Sequence, residues 1–150
     1  MKLKYDDDLF LADLKEHFAQ VPFFQFMDVR IVRLSRGEAD VAVKIRPEYG
    51  NTYGIGHGGV VAALVDMATG VALRTMQIRL VTVETSTNYF ERVELGDELV
   101  ALARVVSLGK RIAHGMAEVR NQAGTLVATG KTTFYIIGEA HLDKTAEQKK

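Results

Sequence analysis

Cysteine is absent from this 150-residue chain. Its absence excludes disulfides, thiolate nucleophiles and Cys-ligated zinc together. An excess of either charge is missing too: 19 basic residues balance 19 acidic ones, giving a formal net charge of zero. Without a basic surplus the chain has no general attraction for phosphate backbones or anionic lipid, so nucleic acid is not an expected partner. Long hydrophobic runs are also lacking. The longest apolar-rich stretch, residues 60–73, contains Asp66 and is too short to span a bilayer. Residues 1–8 carry Lys2, Lys4 and three consecutive aspartates where a signal segment would need an apolar core. The expectation is a cytoplasmic protein with no membrane partner. His17, His57, His114 and His141 show no ligand spacing, so no metal and no cofactor are expected.

Apolar residues make up 47 % of the chain and charged residues 25 %. That is the balance of a globular domain, and the length suits a single one across residues 1–150. Asp6, Asp7 and Asp8 supply an N-cap and first-turn charges for a helix over residues 6–20 carrying Leu9, Phe10, Leu14 and Phe18. Pro22 is expected to end it. Residues 29–35 read as a strand with a broken pattern: Val29 and Ile31 share one face, Val32 and Leu34 the other, and Arg33 interrupts. Residues 38–45 alternate cleanly, with Ala39, Val41, Val43 and Ile45 on one face, and residues 35–37 make a hairpin turn between the two.

Residues 47–56 form a polar, glycine-bearing loop. From Gly58 to about Arg74 or Met76 the chain reads as a helix with apolar residues on nearly every side, the pattern of a buried central helix. Four strands follow, over residues 80–90, 98–108, 112–120 and 126–137, joined by short turns that predict an antiparallel meander. The charged tail from residue 139 is expected to fray. An antiparallel sheet wrapped around one long apolar helix covers both kinds of element most economically, an α+β class.

Chemistry concentrates in residues 51–59, which lead straight into that helix. Gly58 and Gly59 have no Cβ, so a ligand can approach their backbone. The first amides of a helix lack intrahelical partners and sit at its positive end, which suits a polarised carbonyl oxygen. Asp66 stands among Leu64, Val65, Met67 and Ala68. A carboxylate in such surroundings needs a partner, trapped water or a cleft, and carboxylates in clefts are frequently functional. Eight residues separate Gly58 from Asp66, about 12 Å along one helix. A base must lie within about 3 Å of the water it activates, so one protomer's pair does not easily serve one substrate. The arithmetic points to a twofold dimer in which Asp66 of one protomer faces Gly58 of another.

The pattern His57-Gly58-Gly59, six residues, Asp66 resembles the hotdog-fold thioesterases of the phenylacetate-pathway (PaaI-like) kind. The likeness runs from about residue 23 to 137, through the Thr82 strand and the Leu95-Gly96-Asp97 turn. It implies a hotdog fold and hydrolysis of an acyl-CoA thioester, with coenzyme A as part of the substrate. By resemblance, Gly58 gives its amide to the thioester oxygen, and Gly59 beside it binds the substrate. Asp66 of the partner is general base toward water, or its nucleophilic alternative. Asn51 places substrate or water, Thr82 orients water through a hydroxyl, and His57 orients the loop. Tyr89, Ser107, Lys110 and Arg111 match positions where relatives contact coenzyme A. The assembly implied is a homodimer with shared sites, paired into a dimer-of-dimers homotetramer.

The apolar lining (Val60, Val61, Leu64 and Val65) suits an aryl or medium-chain acyl group. Two other functions share the fold. A non-catalytic acyl-CoA-binding module would bind without releasing thiol. An enoyl-thioester hydratase or dehydratase would use a histidine–acid pair, which His57 and Asp66 imitate, but its proline-bearing motif is missing.

Overall fold

The computed structural model describes residues 4–141. Two helices come first, α1 (Asp7–Ala19) and α2 (Pro22–Met27), followed by strands β1 (Arg30–Ser35) and β2 (Glu38–Lys44). A single 3-10 turn, Pro47–Tyr49, precedes the long helix α3 (Gly58–Arg74). Strands β3 (Ile78–Tyr89), β4 (Glu98–Leu108), β5 (Ile112–Arg120) and β6 (Leu126–Glu139) complete the chain. They form one six-stranded antiparallel sheet wrapped around α3, the hotdog arrangement.

The strand order is β1-β2-β4-β5-β6-β3. Only β4, β5 and β6 make a meander. β3 does not pair with β4, as the short-turn argument implied, but crosses to the far edge beside β6. The reason lies in α3, which separates β2 from β3 in sequence and fills the concave side of the sheet. β4 then takes the place beside β2, and β3 is left to cover the helix's other flank.

Asp6 caps α1 by accepting a hydrogen bond from the Leu9 amide at 3.2 Å, while Phe10 and Leu14 are buried. Leu9 points outward. Pro22 is not simply a stop. It stands at the first position of α2, where a missing N–H costs nothing and its fixed φ favours the helix. At the other end β6 runs through Glu139 and Ala140 is buried against Phe10 and Leu14. His141 is exposed, and residues 142–150 of the expected charged tail lie outside the described residues.

The broken pattern of β1 has a physical cause. The register shifts between Ile31 and Arg33, so Val32 is an extra, bulged residue. Ile31 and Leu34 thereby both pack on the core while Val32 is exposed. β2 buries the face expected, with Ala39, Val41, Val43 and the following Ile45 at most 1 % exposed, and Ala42 of its other face is buried as well.

α3 buries nine residues, from Val61 to Leu73, against that sheet. Two sheet glycines let the helix come close. A Cβ built at Gly115 would lie 2.8 Å from the Thr69 Cβ, and one at Gly130 would collide with Val65. Gly115→Ala therefore overpacks the helix–sheet seam without straining φ. The expected loss is about 1–3 kcal/mol of stability, read as a lower midpoint in urea unfolding at unchanged m-value.

Candidate active site

The loop before α3 is clasped from several sides. Asn51 Oδ1 accepts hydrogen bonds from the Tyr53 amide at 2.8 Å and the Ile55 amide at 3.3 Å, an Asx-type closure of its own turn. The Gly56 amide donates to the Val93 carbonyl and the His57 amide to the Tyr49 carbonyl, both at 2.7 Å. Asn51 is thus the organiser of the loop by its oxygen, and its Nδ2 has no partner among the described residues.

His57 is the N-cap of α3. Its Nδ1 accepts from the Gly59 amide at 2.8 Å, which fixes that nitrogen as unprotonated and ties the ring to the helix start. The Gly58 amide has no acceptor among the described residues. Its carbonyl accepts a hydrogen bond from Tyr89 Oη at 2.8 Å. A phenol is a donor at neutral pH, and partial burial pushes that of Tyr89 further above its ordinary value although 51 % of the residue is exposed.

Asp66 sits two turns further along. Between the first turn of α3 and its last residue, the positions that stay open are Ala62, Ala63, Asp66 and Gly70, which with Gly59 recur at helical spacing on one stripe where only Asp66 is not small. Asp66 Oδ1 accepts from Thr82 Oγ1 at 2.9 Å and from Thr85 Oγ1 at 3.2 Å. Oδ2 has no protein partner among the described residues. Thr82 and Thr85 are three apart, which in a regular strand would send them to opposite faces. A register shift between Thr82 and Glu84 makes Val83 an extra residue and turns both hydroxyls toward α3. Sequence alternation could not assign Thr85 a face for this reason, and no local signal marks the bulge.

Two clefts flank the start of α3. One, of about 290 Å³, is lined by Phe23, Phe26, Met27, Tyr49, Val60 and Ala63, with His57 and Gly59 at its wall. Its roof is α2, absent from the sequence reading and held down where Tyr49 Oη donates to the Met27 carbonyl at 2.6 Å. The other, of about 330 Å³, lies between Gly58, Val61 and the Tyr89–Val93 segment.

The candidate residues therefore fall into three places in one protomer. Asn51, His57, Gly58, Gly59 and Tyr89 share the start of α3, while Asp66 and Thr82 meet at its middle. Ser107, Lys110 and Arg111 stand at the β4–β5 turn, near the far end where Leu73, Val105 and Leu108 cluster. Gly58 and Leu73 are separated by about 22 Å of helix. Ser107 Oγ lies 2.9 Å from His114 Nδ1, and Lys110 and Arg111 are exposed.

A family model described as Thioesterase superfamily matches residues 53–128, the segment that carries the α3 start, Asp66, Thr82 and Thr85. The chain belongs to the thioesterase superfamily. Among the relatives of this thioester hydrolase, human acyl-coenzyme A thioesterase 13 is 30 % identical over 111 residues, 72 % of this chain and 79 % of the human protein. The phenylacetic acid degradation protein PaaI of Thermus thermophilus superimposes with a TM-score of 0.72 at 32 % identity, covering 76 % of this chain and 97 % of that one. A hypothetical thioesterase protein of Streptococcus pneumoniae solved with coenzyme A gives a TM-score of 0.78 at 25 % identity, covering 84 % of this chain and 98 % of that one. No helix among the described residues of this thioesterase is long and apolar enough to cross a membrane.

The cap at the helix start has a measurable worth. His57→Ala should lower stability by about 1 kcal/mol, while His57→Asn, another acceptor of suitable reach, should keep most of it. Thermal unfolding of the three proteins checks the order.

Proposed function

We propose that the protein hydrolyses acyl-CoA thioesters carrying an aryl or medium-chain acyl group, at sites built from two protomers. One observation carries the reading. Asp66 offers a half-exposed carboxylate held by hydroxyls at one oxygen and open at the other, on a helix whose first amide is unpaired. The name of the human relative and the coenzyme A held by the streptococcal neighbour support the carrier.

In the proposed reaction, Asp66 Oδ2 takes a proton from water and the resulting hydroxide attacks the thioester carbonyl carbon. Charge that develops on the carbonyl oxygen is met by the Gly58 N–H of the other protomer, with the helix dipole behind it. Collapse of the tetrahedral intermediate breaks the C–S bond. The thiolate leaves and takes up the proton held by Asp66, giving free acid and coenzyme A. Thr82 steadies the base, Asn51 and His57 set the loop, and Gly59 and Tyr89 shape the helix start. Ser107, Lys110 and Arg111 are assigned to the coenzyme A portion, the two cations toward its phosphates. The cleft beside Phe23 and Phe26 is mostly apolar, with Glu48 and His57 among its lining, and of a size for an aryl or medium-chain group.

Two features support the dimer. β3 is a long edge strand with Val81 and Val83 exposed, a surface that proteins seldom leave uncovered. Antiparallel pairing of two copies of β3 centred near Ser86 would set Val83, between the two threonines, across from Tyr89, which holds Gly58. Exposed Val106, Ile112, Met116 and Tyr135 on the outer sheet face offer a second contact for the dimer-of-dimers tetramer. The histidine–acid alternative of a hydratase is weakened because His57 Nδ1 is engaged with Gly59.

Release of free thiol should be measured over acetyl-, hexanoyl-, phenylacetyl- and palmitoyl-CoA. Asp66→Asn should lower kcat at least 10²-fold, on the order of losing a general base, and near-normal turnover by that variant would overturn the mechanism. Gly58→Pro suits the first helical position after an extended residue and deletes the amide hydrogen, while its Cβ meets the Tyr89 ring at 3.3 Å, as that of a Gly58→Ala control with the amide kept would. It should cost on the order of 10²–10³ in kcat. Mixed and reassembled, these two inactive variants should regain about a quarter of wild-type activity, because half the dimers are mixed and each of those has one intact site. No recovery in subunit-exchanged mixtures would rule out the shared site.

A further inference from the structure

Thr85 stands outside the set of residues that the motif picks out, yet it touches the same carboxylate oxygen as Thr82. Behind it lies Thr132 on β6, its partner in register and 0 % exposed. The two hydroxyl oxygens are 3.4 Å apart. Thr85 has a single hydroxyl proton, and an ionised carboxylate can only accept. With Thr85 donating to Asp66, the Thr132 hydroxyl has to supply the proton between the two threonines. Thr132 is fully buried and Thr85 is its one side-chain partner among the described residues, so this direction also satisfies a hydroxyl that would otherwise be stranded. The order is Thr132 to Thr85 to Asp66.

The torsion that turns an aspartate carboxylate is broad and soft, so one hydrogen bond at one oxygen leaves the plane poorly fixed. Two donors, from different points along β3, converge on Oδ1 and hold Oδ2 turned outward. They are not equivalent. Thr82 is exposed and can exchange its partner for water, whereas Thr85 is half-buried and backed by Thr132. We infer that Thr85, oriented by Thr132, is a positioning residue that sets the Asp66 carboxylate for proton abstraction, brought to that face by the bulge at Val83. The inference rests on the reading of Asp66 as the base.

The variant that isolates the hydroxyl is Thr85→Val, isosteric and well suited to a strand. With the acyl-CoA turned over fastest in the panel above, kcat should fall about tenfold, as for one charge-assisted hydrogen bond, with KM within about twofold. Thr85→Ser should restore kcat to near wild type. Thr132→Val, which removes only the orienting donor, should fall between, with a loss of about threefold. In an Asp66→Asn background Thr85→Val should cost nothing further, the mark of a residue that acts through Asp66. Wild-type kcat in Thr85→Val, or a Thr85→Ser as impaired as Thr85→Val, overturns the inference. Should Thr85→Val not fold, a wild-type kcat in Thr132→Val does the same. An active Asp66→Asn instead sinks the base reading itself, whereas an inactive Asp66→Asn beside a normal Thr85→Val leaves that reading standing and removes only the role of Thr85.

Discussion

The seating of α3 in the concave sheet is the constraint from which the rest follows. A helix with nine buried residues leaves one narrow stripe for anything polar, and Asp66 occupies it. The sheet yields room by omitting side chains: Gly115 beneath Thr69 and Gly130 beneath Val65. With the helix that close, hydroxyls on β3 reach the Asp66 carboxylate directly. A larger separation would leave the charge to water, with no fixed direction. Packing of apolar atoms and positioning of a reactive group are therefore one event in this fold.

Bulges do the remaining placement. The one at Val32 turns Ile31 and Leu34 to the same side and keeps β1 on the core. The one at Val83 does for polar groups what the first does for apolar ones, bringing Thr82 and Thr85 to one oxygen. In both cases the extra residue is a valine left exposed at the surface. A strand that kept strict alternation could offer Thr82 or Thr85 to the Asp66 carboxylate, not both.

The polar groups are spread along α3, and that spread bears on assembly. The open Gly58 amide and the Asp66 carboxylate lie on the same helix, about 12 Å apart by helical rise. Nothing in a rigid helix can close that gap. A second protomer running the opposite way can, and β3, with one unpaired edge, is the element through which twofold pairing would do so. The same edge carries Tyr89, whose hydroxyl holds the Gly58 carbonyl, so a pairing strand and a helix start are mechanically linked.

Much was decided by local chemistry. The alternation in residues 38–45, the apolar density of residues 60–73, the Gly-Gly step after His57 and the turn signals before β4 and β6 each determine a local structure that tertiary contacts do not override. The motif that joins His57, Gly58, Gly59 and Asp66 was enough to point to a thioesterase. What the sequence could not decide depends on partners distant in the chain. β3 pairs with β6 and not with its neighbour in sequence, because the order of strands is a matter of which faces α3 leaves to be covered. Pro22 opens a helix where its own chemistry suggested a stop, since Phe24 and Met27 are buried in one cluster with residues of β2 and α3 that lie far along the chain. The face of Thr85 hangs on a one-residue shift relative to β6, and a shift is a relation between two strands, which no single strand's sequence contains.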